Sequence, residues 1–354
     1  MRVVVVPGIH AEELRRELRT LGLIDRSVLT RRRGADVLIP VRADPRIDLA
    51  RFNARLMDVE LLPIRVRPQD PHEAIEEQIV SAGLPPELAP RRWERIGDVV
   101  ILRISEAARA HAPAVARAVG DALQARVVVE DVSGIHGSMR LPDIRVLWGD
   151  GTETVHVEDR VRFKLDVARV MFSSGNLAER ASIARRVGPA EVVVDLFAGI
   201  GYFAIPIAAQ GPGRTVYACE INTVAFGYLQ ENLRLNRVSN VVPRLGSCRE
   251  TAPRGVADWV LMGHFEAVDY LDVAFRALRE QGTIVVHGLA PEERIATEPG
   301  SRFSAAAASA GVETLEMTVR LIKSYSPRIS HFVLEARVKI PPKGLSDRPA
   351  SGNA

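Results

Sequence analysis

The chain is poor in cysteine, lysine and aromatic residues, and it has no long apolar run. Two cysteines in 354 residues, Cys219 and Cys248, are too few for a disulfide framework. Their spacing is not that of a metal site. They read as buried thiols of a reducing compartment. No stretch reaches the roughly 20 apolar residues that a membrane-spanning helix needs. The opening Met1-Arg-Val-Val-Val-Val-Pro-Gly8 has too short an apolar core for a secretory signal. These absences predict a cytoplasmic protein with no membrane partner and no metal. What is present, 47% hydrophobic and 26% charged residues, is the composition of a globular protein with room for more than one domain. Of 47 basic residues only Lys164, Lys323, Lys339 and Lys343 are lysines. Arginine suits phosphate recognition because its fork donates two parallel hydrogen bonds. The clusters Arg31-Arg32-Arg33, Arg91-Arg92 and Arg185-Arg186 fit that use, and each equally fits a solvated face. A net charge of +3 permits a nucleic-acid partner without selecting one.

Hydrophobic periodicity divides the chain. Residues 1–45 read strand, helix, strand, with Leu14, Leu18 and Leu21 on one helix face, and form a small α+β domain. Residues 46–92 are rich in proline and read as a linker carrying one helix near 73–82. Residues 93–172 form a second α+β module with strands at 99–104, 126–130, 144–148, 152–156 and 160–166 and a helix over 107–123. Gly149-Asp150-Gly151 is spaced as a hairpin turn between two of those strands. From 173 to 340 the pattern becomes regular. Strands are predicted at 192–196, 215–219, 241–245, 259–262 and 283–287, with helices between them. That alternation means a parallel sheet with crossover helices. Two further strands, 315–323 and 331–338, end it as an antiparallel hairpin. Residues 341–354 have a disordered composition.

In an open parallel sheet, ligands sit beyond the carboxyl ends of the strands. The turn Asp195-Leu-Phe-Ala-Gly199-Ile-Gly201 falls there, after Val-Val-Val and before a helix. Its glycines let backbone approach a ligand. Glu220, at the end of the next strand, is placed to accept from both ribose hydroxyls of an adenosine. A dinucleotide fingerprint wants a third glycine where Ala204 stands. Asp195 also opposes a pyrophosphate, whereas it attracts a sulfonium or ammonium. The turn therefore reads as an S-adenosylmethionine site.

The segment from Met171-Phe-Ser-Ser-Gly-Asn-Leu-Ala-Glu-Arg180 to Val-Val-Asp195-Leu-Phe-Ala-Gly-Ile-Gly-Tyr-Phe203 resembles the archaeal-type transfer-RNA enzymes that act on guanosine 37. Leu21-Gly-Leu-Ile-Asp25-Arg26 resembles their N-terminal domain, and Ile96-Gly-Asp98-Val-Val-Ile-Leu102 their middle domain. Two groups share this layout, the guanine-N1 methyltransferases and the wybutosine-pathway aminocarboxypropyltransferases. The resemblance implies a class I methyltransferase-like, Rossmann-like α/β sheet and an S-adenosylmethionine donor. It also implies tRNA as partner, at anticodon-loop position 37 of tRNA-Phe, and a monomer docking tRNA through its N-terminal domain.

Three features resemble the transferase group. They are Phe172-Ser173-Ser174-Gly175-Asn176 with Gly201-Tyr202-Phe203, Leu261-Met262-Gly263-His264-Phe265 where the methyltransferases carry an Asn-x-Pro-like loop, and Lys323-Ser324-Tyr325-Ser326-Pro327. The implied reaction moves the 3-amino-3-carboxypropyl group onto a tricyclic guanosine-37 derivative and releases 5′-methylthioadenosine. Guanine-37 N1-methylation, or tRNA binding without catalysis, is the alternative. By resemblance the cofactor contacts are Ser173, Arg180, Asp195, Phe197, Gly199, Gly201, Glu220, Ser247 and Cys248. Ser247-Cys248 departs from the Gly-Asp-Asn or Gly-Asp-Ala that these families place near the adenine. His264 is a candidate catalytic group, since it follows the fourth strand where a side chain reaches the target base. His287 reads as structural.

Overall fold

A computed structural model describes residues 1–25, 27–60, 70–137 and 140–341. The chain forms two compact units, Met1–Glu73 and Ala74–Ala354. In the first, β1 (Arg2–Pro7) is central to a four-stranded sheet with β2 (Arg31–Arg33), β3 (Asp36–Pro40) and β4 (Arg55–Asp58), in the order β2-β3-β1-β4. Helix α1 (Ala11–Thr20) buries Leu14 and Leu18 against the sheet's apolar side, with Val4, Val6 and Ile39. Leu21, expected on the same face, is the C-cap and is exposed, because the helix ends one residue before it. The strand β4 falls in the stretch read as linker from 46. Its Arg55–Asp58 backbone pairs antiparallel with β1, a long-range match that local proline content does not reveal. Pro63 and Pro68 of that stretch, Arg26, and the tail beyond Pro341 lie outside the described residues.

In the second unit, α2 (Pro71–Ser81) buries Ile75 and Ile79 in one cluster with α3 (Ala112–Leu123). That cluster covers a sheet of β5 (Trp93–Ile96), β6 (Val99–Leu102), β7 (Val127–His136) and β8 (Leu141–Trp148), with β6 and β7 parallel across α3. A separate ribbon pairs β9 (Glu153–Glu158) with β10 (Val161–Asp166). The hairpin expected at Gly149-Asp150-Gly151 therefore does not form: β8 pairs with β7 and β9 with β10. Arg126 is the physical reason. Its guanidinium takes the carbonyls of Asp150, Gly151 and Glu153 while binding Asp98, so the chain wraps the arginine and leaves the sheet.

The third sheet holds β11 (Val192–Asp195), β12 (Thr215–Glu220), β13 (Val241–Leu245), β14 (Ala257–Met262), β15 (Leu278–Pro291), β16 (Glu313–Ser326) and β17 (Ile329–Lys339). Its order is β13-β12-β11-β14-β15-β17-β16. The first five are parallel, and β17 is antiparallel to both neighbours. This is the expected class I methyltransferase-like sheet with its terminal hairpin. Helices α4 (Leu177–Arg186), α5 (Ala204–Ala209), α6 (Thr223–Leu235), α7 (Cys248–Thr251), α8 (Leu271–Ala277) and α9 (Glu298–Ser309) complete the unit. Two asparagines one turn apart tie the ribbon to this domain. Asn232 exchanges hydrogen bonds with the Lys164 backbone and donates to the Ile200 carbonyl; Asn236 does the same for Arg162. Among the described residues no helix is long and apolar enough to cross a membrane.

Candidate active site

The strand order reverses between β11 and β14, and the candidate site lies at the carboxyl ends of the strands flanking that reversal. After Asp195 the backbone turns through Gly199 and Gly201, at φ +57° and +101°. A side chain there is strained by conformation and also blocked. A Cβ on Gly199 would lie 2.5 Å from the Tyr202 ring, and one on Gly201 2.5 Å from Ile205. The turn's Gly199 N–H donates to one Glu220 carboxylate oxygen at 2.7 Å. The Asn222 N–H donates to the other, also at 2.7 Å. With the Ile221 N–H adding a third contact, Glu220 is oriented by backbone donors, and a carboxylate's roughly four lone-pair sites leave it able to accept further. Burial pushes its carboxyl above the ordinary range, against the pull of those N–H groups.

A cavity of 390 Å³ opens here. Ser173, Arg180, Phe197, Gly199, Glu220, Ser247, Cys248 and His264 all line it. Asp195 and Gly201 do not. Asp195 is wholly buried, with one oxygen accepting the Phe197 N–H at 3.2 Å and the other unpartnered. Burial pushes its pKa up to about 7, with the Phe197 N–H opposing and the Glu220 charge adding to the shift.

At the Glu220 end the wall is aromatic. Phe197 stacks on His264 with centroids 5.4 Å apart and meets Tyr270 edge-on at 5.2 Å. Ser247 caps α7 by accepting the Arg249 N–H. Burial, and after it Cys219, pushes the Cys248 thiol up to about 11, so it stays protonated and unreactive. His264 is held below the ordinary histidine range by burial and by Arg140. Its Nδ1 accepts the Glu266 N–H at 3.2 Å. That bond places the proton on Nε2, which is buried without a partner. In this arrangement His264 presents a donor to the cavity, not a base.

The opposite end is built by residues 173–180 and β16. Arg180 is 3% exposed. It donates to the Ser173 carbonyl at 2.8 Å and to Glu158 at 2.5 Å, and lies over the rings of Phe172 and Tyr202. Its Nε has no partner. Burial raises the Glu158 carboxyl, but His156 and Arg180 outweigh it and hold it below the usual range. Tyr202 donates to the Met171 carbonyl, fastening the glycine turn to this segment. Arg140 lies 5.0 Å over Phe265, which meets Tyr325 edge-on. His287 is fully enclosed beside His331, at 3.0 Å, and does not line the cavity.

Comparison with known proteins decides the family. The TRM5/TYW2 methyltransferase domain matches residues 154–315, the TYW2 N-terminal domain 76–152, and the tRNA methyltransferase 5 N-terminal domain 4–48. The tRNA(Phe) (4-demethylwyosine(37)-C(7)) aminocarboxypropyltransferase of Methanocaldococcus jannaschii is 37% identical over 249 residues, covering 70% of this chain and 97% of that one. The chain belongs to the TRM5/TYW2 family. The tRNA (guanine(37)-N(1))-methyltransferase Trm5b of Pyrococcus abyssi is 32% identical over 95% of this chain and 98% of its own. The solved structure of P. horikoshii TYW2 in complex with MeSAdo superposes with a TM-score of 0.67 at 33% identity, covering 76% of this chain and 99% of that one.

Within this TRM5/TYW2 chain, sequence reasoning found the turn and Glu220 but missed Glu158, Asn176, Tyr202 and Lys323. Tyr202, Asn176 and Lys323 all stand inside the segments that resemble the family. Nothing local marks Glu158, whose role exists only because the β9–β10 ribbon brings it to Arg180. Lys323 is also one of only four lysines.

Proposed function

We propose that this chain is a cytoplasmic, monomeric transferase that moves the 3-amino-3-carboxypropyl group of S-adenosylmethionine onto a tricyclic guanosine derivative at position 37 of the tRNA-Phe anticodon loop. The observation that carries the reading is the single cavity joining Glu220 to residues 173–180, in a chain matching nearly the whole of an aminocarboxypropyltransferase. The residues fit the donor. Glu220 offers two oriented acceptors for a ribose diol, and Asp195 offers an unpartnered buried oxygen. When bound, the donor supplies a sulfonium whose arm carbon takes the base's electron pair as its C–S bond breaks, leaving 5′-methylthioadenosine. Phe197 and Tyr270 wall the nucleoside end, with Ser247 and Cys248 beside them. Ser173, Gly199 and Arg180 line the path toward the base. His264 donates from Nε2, and Gly201 shapes the turn. The chain's task is orientation, since the reactive carbon is the one held within about 3–3.5 Å of the nucleophile. The first unit, with exposed Arg31–Arg33 on β2, serves as the tRNA-docking module.

Guanine-37 N1-methylation is favoured by one observation, the match to Trm5b over 95% of the chain. Against it stands Gly263-His264-Phe265 where the methyltransferases have an Asn-x-Pro-like loop. Incubation of tRNA with donor labelled separately in the methyl and carboxyl carbons decides. Carboxyl label in RNA is expected; methyl label alone would replace the first reading by the second.

A further inference from the structure

The cavity has a further wall, supplied by the β5–β8 sheet. Helices α2 and α3 cover one face of that sheet, where Val100, Leu102 and Val128 join their cluster. The residues between these, Glu94 and Ile96 on β5, Ile101 on β6 and Ile144 on β8, line the cavity instead. Strand alternation puts Glu94 and Ile96 on the same face. Glu94 stands directly across from Ile101 in the β5–β6 pairing. A carboxylate is thus set among aliphatic side chains.

The other charges on this wall are matched. Asp131 accepts two N–H groups of Arg103 at 3.0 and 2.8 Å and the Gly134 N–H at 2.7 Å. Arg140 is engaged with Phe265 and the Met171 sulfur. Glu94 has no hydrogen-bonded or ion-paired partner among the described residues, and its Oε1 is buried. A buried acceptor without a donor is costly, so it points to a ligand that brings one. The donor's nucleoside has its own end of the cavity, at Glu220, Phe197 and Tyr270 on the catalytic sheet. The β5–β8 wall therefore faces something else. A ring system with an N–H on its edge satisfies both features: the isoleucines cover its face and the carboxylate accepts from its edge.

We infer that Glu94 selects the acceptor base, taking an N–H from the edge of the tricyclic ring while Ile96, Ile101 and Ile144 pack on its face. The inference rests on the transferase reading above. A tricyclic base whose edge nitrogen is methylated has no proton to give there and brings a methyl group against the carboxylate. Glu94 is then a specificity residue, since it separates the unmethylated tricycle from its N-methylated counterpart.

The test uses the full chain, S-adenosylmethionine labelled in the carboxyl carbon, and two tRNA acceptors. One carries the tricyclic guanosine with an unmethylated edge nitrogen, the other its N-methylated counterpart. The wild type is expected to prefer the first by about 100-fold or more in kcat/KM, since a site built to bond an N–H rejects the analogue that lacks it. Glu94→Ala is expected to lose roughly 10- to 100-fold on the first acceptor, the loss of a hydrogen bond to a charged group, and to bring the preference below about tenfold. Glu94→Gln keeps a carbonyl oxygen of the same reach and is expected to fall between the two; it decides alone if the alanine variant does not fold. Donor affinity, read by calorimetry, should change less than about twofold in either variant, because the donor's nucleoside is held by other residues. A variant that keeps the wild-type preference, or that loses donor affinity as a structural defect would, overturns the inference. If the wild type moves no carboxyl label to either RNA, the transferase reading itself fails and the inference with it. Carboxyl label reaching both RNAs at equal rates sinks the inference alone.

Discussion

The two ends of the cavity are built on opposite principles. At the Glu220 end, an acid is oriented by backbone N–H groups from Gly199 and Asn222, both close to a strand end. At the Arg180 end, cations are positioned by side chains from distant segments: Glu158 from the ribbon, Arg180 from α4 and Lys323 from β16. The first needs only a strand, a glycine turn and a second parallel strand beside it. The second needs two sheets and a ribbon to be correctly assembled. One end is therefore local and written as a motif; the other is a product of packing.

Four experiments press on that contrast. The largest effect is expected from Glu158→Ala. Removing one partner of a buried pair leaves Arg180 uncompensated, at a cost of about 3–5 kcal/mol. Urea unfolding measures it, and a loss below about 1 kcal/mol would mean that Arg180 does not depend on the ribbon. Next, Glu220→Gln should weaken S-adenosylmethionine and 5′-methylthioadenosine alike, by roughly 100-fold, because hydrogen bonds to a charged group contribute about 1.5–3 kcal/mol. A selective loss of only one ligand would erase the division between the two ends.

A smaller effect concerns pH. The Asp195 carboxyl titrates at about 7 when folded, against 3.8 as its ordinary value, because burial disfavours its charge. A folded value raised in this way gives stability that is complete below 3.8 and is lost as pH rises to about 7. The ligand-free chain should thus lose thermal stability between pH 5 and 7.5, and Asp195→Asn should flatten that slope. Melting curves of both proteins across the range test this; parallel curves would show that Asp195 is already ionised. The smallest effect is chemical. Burial keeps Cys219 and Cys248 protonated, so thiol alkylation of the native chain at pH 7 should be slow and should accelerate only on unfolding.

Legibility followed the same line. The β11 turn, the parallel alternation and the terminal hairpin were readable because glycine punctuation and apolar runs record local geometry. Strand β4 was hidden in a proline-rich stretch because its only signal is its partner, β1. The hairpin expected at residues 149–151 shows the reverse error: the glycines do turn the chain, as φ +82° at Gly149 and +69° at Gly151 require, but Arg126 decides where it goes. His264 reads as a candidate catalytic group from its place after β14, with no indication of whether it gives or takes a proton. The Glu266 N–H that occupies its Nδ1 makes it a donor.

By itself the sequence determined the sheet, the bend at Gly199 and Gly201, and the acid that follows at Glu220, since these depend on residues near one another in the chain. Tertiary structure alone decided that Asp195 does not line the cavity and that Arg180 is spent on Glu158. It alone left Lys323 unpaired beside Gly175. Charge compensation depends on distances in space, and those are settled only when the ribbon, α4 and β16 pack together.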